Sequence, residues 1–308
     1  MGILWSERSY IFREETAIKR GPLPLHIIRD RDFRNGLAIY GTRHEDDFIA
    51  QYAGVSETTG YQRWNVAQWA LYNHPLTAET PRLRREDGGY AYETPSARID
   101  VAANGEYAIR LELRASAEYG GVPRVAGQDW PHLLLEQHDY VESEPALGEL
   151  RSLDYAAEVQ LEYCRCNMSP EQLNSELHAA QFVHFFAIGD PEARDMFWFG
   201  ITFFDSRYKI YPGYAHLDVG KADCTNKMVI VEPLTVYTDD APLPGNWLHC
   251  KADLLPLLRR AVETAQSRGT LPDCRFERMK ILSTNIGFEL PGDYDAALQI
   301  RKLELIAR

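Results

Sequence analysis

Between residues 153 and 163 the chain alternates without a break. Leu153, Tyr155, Ala157, Val159, Leu161 and Tyr163 are interleaved with Asp154, Ala156, Glu158, Gln160 and Glu162. A period of two puts every second side chain on the same face, so this segment can only be a strand with one face in a core and one in water. Tyr107, Ile109, Leu111 and Leu113 repeat the pattern against Ala108, Arg110, Glu112 and Arg114. Just upstream, Ile99 and Val101 run into Asn104-Gly105, a dipeptide that accepts the positive φ of a hairpin turn.

Two denser apolar runs, 177–188 and 196–205, predict strands covered on both faces. Together with 106–115, 131–141 and 153–165 they make five long strands. A single substantial helix is expected over 253–268. Asp253 can cap it, Pro256 fits its first turn, and Leu254, Leu255, Leu257, Leu258, Ala261, Val262 and Ala265 recur at helical spacing before Gly269. Two closing strands, 279–290 and 294–306, flank Pro291-Gly292-Asp293. Residues 1–96 are irregular, with short apolar runs such as Leu37-Ala38-Ile39-Tyr40. No linker sets them apart, so they are expected as strands and loops of one domain spanning 1–308. Many strands and one helix in the C-terminal half predict an all-β, antiparallel two-sheet jelly-roll sandwich. With 308 residues, 45% of them apolar, the chain can bury a large core.

Charge and cysteine usage narrow the partners. A net charge of −12 argues against nucleic acid and against anionic membranes. No stretch reaches the roughly 18 apolar residues of a membrane span. Residues 1–20 are charged throughout and lack the apolar centre of a secretion signal, which predicts a soluble chain, either cytoplasmic or secreted with its signal already removed. The five cysteines include Cys164 and Cys166 on one strand face, a poor zinc knuckle without a second pair, so reduced thiols are expected. There is no internal repeat, phosphate loop, dinucleotide fingerprint or G-x-S-x-G elbow.

The run Ile286-Gly287-Phe288-Glu289-Leu290-Pro291-Gly292-Asp293-Tyr294-Asp295 resembles the last hairpin of concanavalin A-like jelly rolls, a style of fold shared by glycoside hydrolases, polysaccharide lyases and sugar-binding modules. The likeness covers about residues 97–308. Arg110-Leu111-Glu112-Leu113-Arg114 also resembles the R-x-E-L-R strand of jelly-roll alginate lyases; the nearest counterpart of their Q-x-H is Gln181-Phe182-Val183-His184, one residue longer. The E-x-D-x-x-E signature of laminarinase-like hydrolases is absent. The resemblance implies a carbohydrate ligand on the concave sheet face.

Candidate site residues follow from polar groups set in apolar strands. Alternation places His132, Leu134, Glu136 and His138 on one face, where two imidazoles flanking a carboxylate could bind a metal, serve acid–base chemistry or hold a sugar; the plainer reading is a solvent-facing strand. His178 and Gln181 lie in the next run, where a polar residue needs a partner; for His178 the plainer reading is a satisfied core histidine. Phe203-Phe204 gives way abruptly to Asp205-Ser206-Arg207-Tyr208, an ion pair that either anchors a loop or grips a ligand. His216, Asp218, Lys221 and Asp223 follow in a nearby loop. Trp64 and Trp69 offer stacking faces, and Glu158 a carboxylate on the 153–165 strand. A lyase would use His178, Gln181, Arg207 and Tyr208; a hydrolase would use Glu136 and Glu158. The alternative is a non-catalytic carbohydrate-binding protein. No cofactor is expected, although Asp293 and Asp295 could hold calcium. A shared location is expected for His132, Glu136, His178, Gln181, Asp205, Arg207 and Tyr208.

Overall fold

The computed structural model describes residues 24–43, 47–55, 64–105, 107–138, 145–219 and 225–308. In chain order the strands are β1 (Leu25–His26), β2 (Leu37–Tyr40), β3 (Phe48–Tyr52), β4 (Trp64–Ala67), β5 (Arg82–Arg84), β6 (Tyr90–Glu93), β7 (Ala97–Val101) and β8 (Ile109–Arg114). A one-turn helix α1 (Ser116–Tyr119) precedes β9 (His132–Gln137), β10 (Leu153–Cys166), β11 (Gln181–Asp190), β12 (Asp195–Asp205), β13 (Tyr214–Leu217), β14 (Met228–Val231) and β15 (Trp247–Asp253). Helix α2 (Leu254–Ser267) leads into β16 (Lys280–Glu289) and β17 (Tyr294–Ala307).

These strands form two sheets facing each other. The first has the order β15-β10-β17-β8-β7-β6-β5, with β1 also on β17; the second runs β13-β14-β12-β11-β16-β9-β4-β2-β3. Pairing is antiparallel except at β2–β4 and β12–β14. From β8 onward the chain changes sheet at β8/β9, β9/β10, β10/β11, β14/β15, β15/β16 and β16/β17. It is a mostly β sandwich of jelly-roll style, with its one long helix in the C-terminal half. Strands of the first hundred residues extend both sheets: β2, β3 and β4 in the second, β5 to β7 in the first.

One expectation is corrected here. Pro291-Gly292-Asp293 does not close a hairpin. β16 pairs with β9 and β11, whereas β17 pairs with β1, β8 and β10, so the turn carries the chain from one sheet to the other. Both strands enter between strands already laid down, which local alternation cannot reveal. The 177–188 run also enters its sheet later than expected, at Gln181, because His178 belongs to a turn in which its backbone N–H donates to Asn174 O.

The core lies between the sheets. Odd-numbered Leu153 to Leu161 of β10 and Ile109, Leu111 and Leu113 of β8 face Phe182, Phe186, Phe197, Phe199 and Phe288 of the second sheet, all buried. His184 sits among them at 0% exposure. Its Nε2 lies 2.7 Å from Thr284 Oγ1, and that hydroxyl donates its own proton to Phe185 O at 3.0 Å. Nε2 must therefore donate, leaving Nδ1 to accept from Tyr155 O–H at 2.9 Å. Burial pushes the imidazole down to about 3, so it stays neutral and ties β10 of one sheet to β11 and β16 of the other. Asp253 caps α2 by accepting from Leu255 N at 3.0 Å, and the helix buries Leu254, Leu257, Leu258, Ala261, Val262 and Ala265. Gly269, at φ +79°, takes the left-handed position that follows it.

Candidate functional site

The concave face of the second sheet opens into a cleft of about 1030 Å³. Its floor follows from the pleat. The core takes Leu133, Leu135, Phe182, His184, Ile286 and Phe288, so the alternate residues of β9, β11 and β16 face outward. Cross-strand register sorts them into rows. One row is His132–Glu289–Gln181–Asp205, the next Leu134–Gly287–Val183–Thr202, and a third Asn65–Glu136–Asn285–Phe185–Gly200. Trp69, Arg124, Trp130, Trp198 and Tyr214 contribute to the walls.

His132 is the most constrained of these side chains. Its ring stacks on Trp130 (centroids 5.6 Å apart) and meets Trp69 edge-on at 5.4 Å. Nδ1 lies 2.8 Å from Trp130 O, a carbonyl that can only accept, so Nδ1 carries a proton. Nε2 then faces Glu289 Oε2 at 3.5 Å, and that contact becomes attractive only with a proton on the imidazole or on the carboxyl. On the third row, Glu136 Oε2 lies 3.3 Å from His138 Nε2. Glu136 is directly opposite Asn285, four residues from Glu289, which separates the backbone positions of the two acids by about 13 Å along the strands. Glycosidase carboxyl pairs stand about 5 to 9.5 Å apart, so Glu136 and Glu289 do not form one in this arrangement.

Arg124 props the wall. It is 8% exposed and donates to the carbonyls of Pro291 (3.0 Å), Gln128 (2.9 Å) and Leu177 (2.8 Å), with its guanidinium 4.9 Å from the Trp130 ring centroid. Burial pulls its pKa below the usual range. The cleft floor carries an apolar plate as well. A Cβ at Gly200 would stand 2.4 Å from Phe185 Cε1, so the Phe185 ring lies across the glycine, edge-on to Trp198 at 6.5 Å.

Of the sequence candidates, His132, Glu136, Gln181 and Trp69 line this cleft. Asp205 ends the His132 row, accepting from Gln181 Nε2 at 2.8 Å, and Arg207 clasps it through Nε (2.9 Å) and Nη2 (2.6 Å). Arg207 thus anchors the turn after β12 and is not among the cleft-lining groups; Tyr208 beside it is exposed and packs edge-on to Tyr211 at 5.4 Å. His178 is buried beneath the neighbouring loop: Nδ1 accepts from Asn174 N at 3.1 Å and Nε2 lies 2.8 Å from Arg124 O. The Arg124 carbonyl likewise only accepts, so both ring nitrogens are committed and the residue holds loops together. His216 and Asp218 lie in and beside β13, with Asp218 at the cleft edge accepting from Thr225; Lys221 and Asp223 fall outside the described residues.

Two expectations are corrected. Trp64 points into the core at 0% exposure, stacks on Phe33 and donates from Nε1 to Asp30 O at 3.0 Å. It precedes cleft-facing Asn65, so one step of pleat decides its side. Glu158 projects from the outer face of the other sheet. There Arg301 (2.5 Å), Lys302 (2.6 Å) and His249 (3.2 Å) surround it. Burial alone would raise its pKa, but these bonds outweigh burial and hold it at about 2. The R-L-E-L-R strand lies on that same outer face, where Glu112 receives Arg110 (2.8 Å), Arg114 (2.8 Å) and Tyr163 (2.7 Å).

Asp293 and Asp295 are also occupied internally. Asp293 accepts from Asn167 Nδ2 at 3.1 Å, and Asp295 from Arg165 Nη2 at 2.5 Å and Ser116 N at 3.2 Å. Among the described residues no group of three His, Cys, Asp or Glu is placed to hold a metal ion, and no helix is long and apolar enough to cross a membrane. Cys164, Cys166, Cys250 and Cys274 are free thiols. Asn65, Phe185, Trp198, Tyr214, Asn285 and Glu289 were not identified as candidates from sequence. Only Glu289, the lone carboxylate of an apolar run, carried a local signal.

No protein-family model matches the sequence, and no curated protein resembles it. Solved structures similar in fold include three glycoside hydrolases. A family 12 xyloglucanase from Bacillus licheniformis is 8% identical, with 74% of this chain and 97% of that one covered at a TM-score of 0.41. Endoglucanase 3 of family GH12 from Trichoderma harzianum is 9% identical, with 81% and 99% covered at 0.39. The family 11 xylanase from Neocallimastix patriciarum is 7% identical, with 74% and 95% covered at 0.36. No activity passes from them to this chain.

Proposed function

We propose that this protein binds a carbohydrate chain along the cleft of its second sheet. The observation that carries the reading is the composition of one open, concave surface. Trp69, Trp198 and Tyr214 contribute aromatic rings to its lining, while Glu136, Asn285, Gln181 and Glu289 offer hydrogen bonds between them. Alternating C–H faces and hydroxyl edges of a sugar match that mixture, and ligand sites commonly combine an apolar lining with a few convergent polar groups. Calorimetric titration with soluble oligosaccharides tests it. Saturable binding that is weakened by Trp69→Ala and untouched by substitutions on the first sheet's outer face is the expected result. Absence of binding to any glycan would refute it.

Catalysis is the second reading, favoured by one observation: the imidazole of His132 and the carboxylate of Glu289 face each other across 3.5 Å in the cleft wall. Such a pair can move a proton at a bound sugar. Released reducing ends would identify hydrolysis, and new ultraviolet absorbance from an unsaturated product would identify elimination. Binding without either product leaves a lectin-like role.

A further inference from the structure

We propose that the row Asn65–Glu136–Asn285, with Phe185 beside it, is a subsite for the adjacent hydroxyls of an uncharged pyranose ring. This rests on the carbohydrate reading above and names the class of sugar that the cleft takes. The three polar residues come from β4, β9 and β16, directly opposite one another in register, so their head groups stand side by side at cross-strand spacing. Asn285 is 8% exposed, and its Oδ1 is buried with no hydrogen-bond partner among the described residues. Buried polar atoms are nearly always satisfied, because leaving one unmade costs its full desolvation. An orphaned carboxamide oxygen on the floor of a cleft is therefore a group whose partner arrives from outside.

The chemistry of the row selects that partner. Each asparagine both donates and accepts, while the Glu136 carboxylate between them only accepts. A hydroxyl also does both, so two neighbouring hydroxyls can each donate to Glu136 and exchange a bond with the flanking amide. A uronic carboxylate would meet Glu136 as a like charge. Phe185 completes the arrangement, because its half-buried ring lies across Gly200 at the next position of the same row and presents a flat apolar surface beside the polar trio.

The test titrates the full chain with hexasaccharides of β-1,4-glucan, β-1,3-glucan, β-1,4-xylan and β-1,4-mannan, and with hexagalacturonate, each with and without EDTA. Asn285→Leu, Asn65→Leu, Trp69→Ala and Glu158→Gln variants follow, with thermal melts of each. Binding of at least one neutral hexasaccharide is expected, insensitive to EDTA. Asn285→Leu and Asn65→Leu should each weaken it by about tenfold or more. Asn285→Leu should melt no lower than the parent, because it removes an unsatisfied oxygen instead of an internal bond. Four results overturn the subsite. They are neutral binding that survives Asn285→Leu but not Trp69→Ala, which leaves the cleft reading standing; a lowered melting temperature for Asn285→Leu, which makes it a structural residue; binding of hexagalacturonate alone; and binding abolished by EDTA. If the unsubstituted protein binds none of the sugars, the cleft reading falls and the subsite with it.

Discussion

Replacing Glu112 by Gln isolates the electrostatics of the first sheet's outer face. Glu112 is 8% exposed and accepts from Arg114 Nε, Tyr163 O–H and Arg110 Nη1. Burial alone would raise its pKa from 4.5, but these three bonds overcome burial and hold it at about 2. A difference of that size corresponds to about 3 kcal/mol of folding stability. The folded carboxyl binds its proton more weakly than the unfolded one, so protonation favours unfolding. The contribution is complete above about pH 4.5 and is lost as pH falls toward 2. Arg110 and Arg114 keep Glu162 and Glu93 as partners in the variant, so no arginine is left buried without a counter-ion. Urea unfolding followed by circular dichroism at pH 7, 5, 4 and 3 should give a variant about 3 kcal/mol less stable at pH 7 and about half that at pH 3. A difference under about 1 kcal/mol at pH 7, or one that does not change with pH, would refute the argument.

Three further outcomes are expected. Tyr155→Phe leaves His184 Nδ1 without its donor in the core and should cost about 1–3 kcal/mol in chemical denaturation. The two tryptophans near the cleft should separate cleanly: Trp64→Ala should cost about 3–5 kcal/mol of stability, because it empties a fully buried site, whereas Trp69→Ala should weaken oligosaccharide binding in calorimetry with a smaller loss of stability. Glu158→Gln should leave that binding within about twofold of the parent, because the residue lies on the other sheet; in urea the variant should lose stability at pH 7 and recover relative to the parent as pH falls from about 4.5 toward 2.

Alternation made β8 and β10 legible within a few residues, because each has one face in the core and its period is intrinsic to the strand, and β12 was legible from its dense apolar run. Helix α2 was legible from its cap and its apolar spacing. Sheet order was not, since nothing in 280–307 states that β16 will sit between β9 and β11, or β17 between β8 and β10. That gap explains the site. His132, Glu136 and Gln181 could be identified individually, but Asn65 and Asn285 acquire meaning only when register sets them on either side of Glu136. Alternation puts His178 and Gln181, three residues apart, on opposite faces, and their grouping rested on polarity alone; His178 belongs to a turn and Gln181 to a strand, so polarity did not place them together.

The central placement of β16 and β17 has a consequence for how the chain is made. β9 reaches β11 only through β16, and β8 reaches β10 only through β17. Ribosomes add about 5–20 residues per second, so for roughly 5 to 30 s after β10 and β11 are made each sheet exists as two halves with nothing to join them. Four strand edges stay open to pairing with other chains until residues 280–307 have been synthesised and have cleared the exit tunnel. Folding of the sandwich therefore closes with insertion of β16 and β17, and a chain that stops before Lys280 keeps four open strand edges instead of forming a trimmed but stable sandwich.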